Sequence, residues 1–271
     1  MNIFEKTLYL LQVTMDTPKS YGWFHLMCLG ILFITICILY KVSKNHNEKR
    51  LKIVIGVYGI TAFVLELFKQ LMWSFNYDAI SNVVSWDYQW YAAPFQLCTT
   101  PIFVCLICMF LKKGAFRNSL FSYMAFITIL GSITTMFIPD SCFVEDILVN
   151  IHTMWLHLGS FAVSIYLLMS GEVELKTENL KKAIFTFVMF VVIALAFNVT
   201  AYNSGIIRDE VFNMFYISPY FISTLPVFDI IQQNVPYVIY LLIYIISLSL
   251  GATVIYYISK LINKIHRKNV I

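Results

Sequence analysis

Seven stretches of about 20 residues, nearly free of charge, constrain this chain more than any other feature. They run from Trp23 to Tyr40, Ile53 to Phe75, Ala92 to Leu111, Ser119 to Ile138, Ile147 to Ser170, Ala183 to Asn203, and Val235 to Ser259. A bilayer core about 30 Å thick takes about 20 apolar residues at 1.5 Å rise each. Only 13% of the 271 residues are charged and 59% are hydrophobic, whereas a soluble domain carries about 25% charge. Backbone groups in hydrocarbon must be satisfied within their own segment, so the runs are expected as helices and not as open strands. The expected fold is all-α, a single polytopic bundle of seven transmembrane helices over residues 23–260. Residues 1–22 form an outer segment and 261–271 a basic tail, and the cell membrane is the expected location.

Orientation follows from Lys and Arg, which accumulate in cytoplasmic loops. Lys41, Lys44, Lys49, Arg50 and Lys52 follow the first run, and Lys112, Lys113 and Arg117 follow the third. Lys176, Lys181 and Lys182 follow the fifth, and Lys260, Lys264, Arg267 and Lys268 follow the seventh. Fifteen basic residues on this side face three on the other, Lys6, Lys19 and Arg208. Trp23, Trp73, Trp86 and Trp90 cluster at the lysine-poor boundary, where amphipathic rings settle. The N-terminus is therefore expected outside and the C-terminus in the cytoplasm. The formal charge of +4 belongs to these rims, facing anionic lipid, and implies no nucleic-acid partner.

Phe4, Leu8, Leu11 and Met15 recur at helical spacing opposite Glu5, Lys6, Gln12 and Asp16, which predicts a short interfacial helix. The first 22 residues lack the apolar core and cleavage site of a signal peptide and are expected to be retained. Five of the six cysteines lie within runs and only Cys142 lies in an outer loop, so no disulfide framework is implied. Cys105 and Cys108 have a zinc-like spacing without a second pair and read as small hydrophobes. No cofactor or metal is expected. The longest segment outside the runs, Ser204 to Asn234, carries five aromatics between Phe212 and Phe221. It reads as an interfacial segment, with a lid over an outward-facing site as the alternative.

An ionisable side chain near the bilayer centre costs at least about 2.5–3.5 kcal/mol, so each one calls for a reason. Glu66, Lys69, His152, His157 and His25 all fall in the outer halves of their runs, and the inner halves hold no Asp, Glu, Lys, Arg or His. A rise of 1.5 Å per residue puts Glu66 about 14 Å deep, Cys98 about 10 Å and His157 about 15 Å. Glu66, Lys69, Gln70 and Trp73 share one helix face, and Thr153, His157, Ser160 and Ser164 another. His152 is turned about 140° from His157, which disfavours a shared metal site. Glu66 is either a base or a carboxylate neutralised by Lys69. His157 is either catalytic or an interhelical hydrogen-bonding group.

Cys98 lies in Pro94-Phe95-Gln96-Leu97-Cys98-Thr99-Thr100-Pro101. Pro94 suits a first helical turn, so the thiol is expected near a helix N-terminus, whose partial positive charge stabilises a thiolate. Pro101 is expected to kink the helix beside it.

Together these residues resemble the YwaF-type bacterial integral membrane proteins, whose animal relatives include a transmembrane acyltransferase that moves acyl chains between phospholipids. The likeness covers most of the chain. It is carried by Pro94-x-x-Leu97-Cys98, by Gly131 before Pro139 and Asp140, by His157, His25 and Glu66, and loosely by Asn198 to Asn203. Bacterial members usually have histidine where this chain has Gln96. The resemblance implies a catalytic pair of Cys98 and His157, 59 positions apart.

On that basis the expected function is lipid acyl transfer through a Cys98 thioester, with His157 as base and phospholipid and lysophospholipid as substrates. Thr99, Thr100 and Asn198 are expected near the oxyanion, and Glu66 or His25 near an imidazole. The alternatives are a non-enzymatic binding protein or transporter using the same chamber, and an accessory subunit. Oligomeric state is not readable from the sequence.

Overall fold

The computed structural model describes residues 1–139, 142–205, 207 and 210–269, with side chains to residue 265. Asp140 and Arg208, and the side chains of Arg267 and Lys268, lie outside the described residues.

The chain is mostly helical, and six helices are long and apolar enough to cross a membrane. They are α2 (Trp23–Ser43), α3 (Glu48–Ser74), the composite helix Ala115–Phe137, α7 (Ile147–Met169), α8 (Thr177–Asn203) and α10 (Tyr237–Asn269). The third apolar run departs from expectation. Only α4, Thr100–Phe110, is helical there, and its 11 residues span about 17 Å, roughly half the hydrocarbon core. Pro101 stands at the start of α4 and not inside a longer helix. Lacking an N–H, proline is tolerated in a first turn, so it starts the helix where a kink was expected. The Cys98 depth reckoned from helical rise therefore does not apply.

The composite helix is the most enclosed of the six, with 67% of its apolar window buried. It consists of α5 (Ala115–Tyr123), a π turn at Met124–Thr128 and α6 (Ile129–Phe137). A π turn widens the helix and loosens its carbonyls. Here the Met124 carbonyl accepts from Thr128 Oγ1 at 3.1 Å and from Ser164 Oγ of α7 at 3.0 Å. Ser164 thus satisfies a polar group that the core would otherwise strand.

At the lysine-poor end a cap covers the helix ends. Helix α1 (Ile3–Leu11) has the capping box Asn2/Glu5 and buries Leu8, in agreement with the amphipathic spacing of the sequence. Gln12 Nε2 donates to the carbonyls of Met72 and Phe75, closing the end of α3. The chain then crosses to the start of α7, where Thr14 pairs with Asp146 in a β-bridge. A hairpin follows α3, with β1 (Phe75–Asp78) antiparallel to β2 (Val83–Trp86). Asp78 closes its turn by accepting from Ile80 N and Ser81 Oγ. Strands were not expected from the sequence. They begin at the last residue of the second run, Phe75, and otherwise lie beyond the runs, so the rule against open strands in hydrocarbon still holds.

The segment after α8 forms neither a simple interfacial stretch nor a plain loop. Met214, Phe215, Ile217 and Ser218 are wholly buried, and α9 (Phe228–Asn234) follows them. The segment enters the bundle and packs against the residues before α4.

Candidate functional site

The residues before α4 fold by local hydrogen bonding. Thr99 Oγ1 accepts from Gln96 N and donates to the Gln96 carbonyl, both at 2.9 Å. Thr100 Oγ1 donates to the Leu97 carbonyl at 2.8 Å and lies 2.7 Å from the Tyr123 hydroxyl. This tight turn holds Cys98 at its corner, immediately before the helix-capping residue Thr99.

Two amides fasten the re-entrant segment over that turn. Gln96 accepts from Phe215 N at 2.8 Å and donates to the Asn213 carbonyl at 3.0 Å. Asn198, buried on α8, accepts from Met214 N at 2.7 Å and donates to the Met214 carbonyl at 3.0 Å. Asn213 accepts from Ser218 N, and Tyr240 donates to the Tyr216 carbonyl. These bonds hold Phe215 and Tyr216 in the left-handed region, both at φ 58°. Such backbone costs on the order of 1–3 kcal/mol per residue and persists only where its surroundings fix it. Phe95 stacks on Phe215 at 5.7 Å. The donors of Thr99, Thr100 and Asn198, expected near an oxyanion, are thus spent on the protein's own backbone.

Glu66 sits in a buried ionic cluster. Its Oε1 lies 2.8 Å from Lys69 Nζ and accepts from Gln70 Nε2 at 2.7 Å. Its Oε2 lies 2.7 Å from His152 Nε2, a close polar contact without the alignment of a hydrogen bond. Lys69 and Gln70 also donate to the Ala92 carbonyl, tying α3 to the chain that leads to Cys98. The imidazole that Glu66 meets is therefore His152. The sequence placed Glu66 with Lys69 and Gln70 correctly, but the His152 contact spans 86 positions and arises from the packing of α3 on α7. His25 is buried elsewhere, with Nδ1 accepting from Tyr21 N and its ring edge-on to Phe143.

Cys98 and His157 differ from all of these. Both are half-buried. Among the described residues no side chain hydrogen-bonds the thiol or the imidazole, and the thiol meets only the backbone of its own residue. Cys98 is within electrostatic reach of Lys69 and Glu66, and of Tyr58, Tyr123, Tyr216 and Tyr244. Tyr58 also donates to the Leu156 carbonyl at 3.0 Å, one residue before His157.

A family model for the TMEM164 family matches residues 20–257, nearly the whole chain. The chain belongs to the TMEM164 family. Neither a curated protein nor a solved structure matches it. The matched region takes in every polar candidate above, and so the TMEM164 family assignment covers the bundle and the re-entrant segment together.

Among the described residues no cluster of His, Cys, Asp or Glu is arranged to hold a metal ion. Cys105 and Cys108 are fully buried, with Cys105 Sγ 3.7 Å from Met124 Sδ. The sequence reading missed the amides Asn213 and Gln232, which bind the re-entrant backbone. Gln232 accepts from Ser223 N and donates to the Ser218 and Phe221 carbonyls. Amides scattered through an aromatic loop were the available signal.

Proposed function

We propose that this TMEM164-family protein is a membrane-embedded lipid acyltransferase in which Cys98 is the nucleophile and His157 the general base. One observation carries the reading: among the described residues no side chain hydrogen-bonds the Cys98 thiol or the His157 imidazole, so neither is committed to holding the fold. The YwaF-type resemblance, with its implied cysteine and histidine pair, supports the same residues.

In the first half-reaction His157 takes the Cys98 proton and the thiolate attacks the ester carbonyl of a phospholipid. The carbon–oxygen bond breaks, His157 returns the proton to the departing lysolipid hydroxyl, and the acyl group remains as a thioester. In the second, His157 accepts the proton of an acceptor lysolipid hydroxyl, which attacks the thioester and regenerates the thiol. Untargeted lipid profiling of cells with and without the gene tests this. Acyl chains are expected to be redistributed among phospholipids, and unchanged profiles under overproduction would leave a binding protein as the better reading.

The proposal includes an orientation, with the cap and the chamber outside and the C-terminus in the cytoplasm. It also counts α4 with the turn before it as a seventh, partly non-helical span, since irregular backbone is tolerated at membrane depth when enclosed by protein. The fifteen-to-three division of basic residues supports it. A cysteine introduced at Asn45 is expected to resist an impermeant reagent applied to intact cells and to react once the membrane is opened. Labelling from outside would reverse the orientation.

A further inference from the structure

Helix α2 packs chiefly on α7, and the wedge it leaves beside α3 forms a groove of about 510 Å³. That is within the size range of small-molecule sites, roughly 300–1,000 Å³. Its walls are mostly apolar, from Phe24 and Leu32 on α2 to Val57 on α3 and Leu158 on α7, and the Thr35 hydroxyl is turned back to the Ile31 carbonyl. Met27, Ile31 and Val57 are about half exposed, so the groove opens sideways towards hydrocarbon. Tyr58 forms its floor, and Gly159 lets that ring lie against α7, because a Cβ there would stand 2.7 Å from Tyr58 Cδ2. The single charged lining residue, Arg50, stands at the lysine-rich end.

We infer that this groove is a lipid site that takes one acyl chain of an anionic phospholipid and holds its phosphate at Arg50. A mostly apolar groove open to a bilayer is filled by hydrocarbon, because away from Arg50 it offers too few free polar groups to hold water. The charge at its end selects the headgroup. Arg50 donates through Nη1 to the Asn45 carbonyl, and among the described residues it has no carboxylate partner. The acid closest in sequence, Glu48, is taken by Arg117. A guanidinium fork matches phosphate oxygens. No carboxylate lines the groove to receive the ammonium of a zwitterionic headgroup. The inference stands apart from acyl transfer, since the site needs neither Cys98 nor His157.

Native mass spectrometry of the purified full chain, offered phosphatidylglycerol and phosphatidylcholine with the same acyl chains, tests it. One phosphatidylglycerol is expected to be retained in preference. Arg50→Gln is expected to lower its occupancy roughly tenfold, the order of one charge-assisted pair. Val57→Trp is expected to displace both lipids by filling the groove, and Lys52→Gln to change nothing. Ile31→Trp repeats the blocking test should Val57→Trp elute as aggregate. Equal retention of the two lipids would overturn the proposal, as would an equal loss in Arg50→Gln and Lys52→Gln, which would show only diffuse rim charge. Retention undiminished by the tryptophan variants would place the lipid elsewhere, and a dimer that excludes lipid would give the groove to a second copy.

Discussion

Cys98→Ala is expected to abolish acyl transfer and any acyl-thioester trapped on the protein, while the bundle stays folded and still binds lipid. No other side chain hydrogen-bonds the thiol, and the turn that carries it is fixed by Thr99, Thr100 and Gln96, so its removal costs the fold little. His157→Ala is expected to slow turnover by about 10²–10⁴-fold, the usual contribution of a positioned general base. The measurement is transfer of a labelled acyl chain between phospholipid and lysolipid by purified protein, with intact mass reporting the thioester. Undiminished turnover by Cys98→Ala would remove the covalent mechanism, and full activity of His157→Ala would assign the proton to another group. These results leave the groove beside α2 untouched, so the two proposals fail or stand separately.

The largest effect on stability is expected at the opposite end. Arg117 is 2% exposed yet fully charged. Its guanidinium lies 2.5 and 3.1 Å from the two carboxylate oxygens of Glu48 and 2.8 Å from Glu172 Oε1. His46 completes the cluster, with Nε2 3.2 Å from Glu172 Oε2 and Nδ1 3.1 Å from the Tyr166 hydroxyl. The arrangement joins the start of α3, the start of α5 and the turn after α7. Arg117→Leu leaves the Glu172 carboxylate buried without its cation, a loss of about 3–5 kcal/mol for a broken buried pair. Glu48 is half exposed and adds little to that. For a chain of this size the midpoint of thermal unfolding in detergent should fall by roughly 10 °C. Adding Glu172→Gln should restore much of it, because the stranded charge is then gone. An unchanged midpoint in the single variant would mean that water reaches Glu172 freely.

What the sequence determined by itself was the solvent and the material of the fold. Runs of apolar residues long enough for a bilayer admit only helices, and all but one of the seven became long helices, several of which continue into the polar sequence beyond their runs, α10 to Asn269. The amphipathic spacing of Phe4, Leu8 and Leu11 likewise yielded α1, and the polar face of Glu66, Lys69 and Gln70 stayed together. Both are local: periodicity along one helix is set by the backbone's own repeat.

Tertiary structure alone decided what was long-range. Hydropathy could not tell that the run from Ala92 breaks into a turn and the short helix α4, since an enclosed turn and a helix bury the same apolar side chains. Nor could it tell that Gln96 and Asn198, read as neighbours of the chemistry, would be spent on the backbone of a segment more than a hundred and about sixteen positions further on respectively. Their partners are main-chain groups, which every residue carries and no side-chain pattern marks. The pairing of Glu66 with His152, and the placing of Tyr58 against the turn of α7 that bears His157, depend on how α3 and α7 are rotated against each other. That rotation is set by packing across the whole interface, down to the glycine at 159 that admits the tyrosine ring.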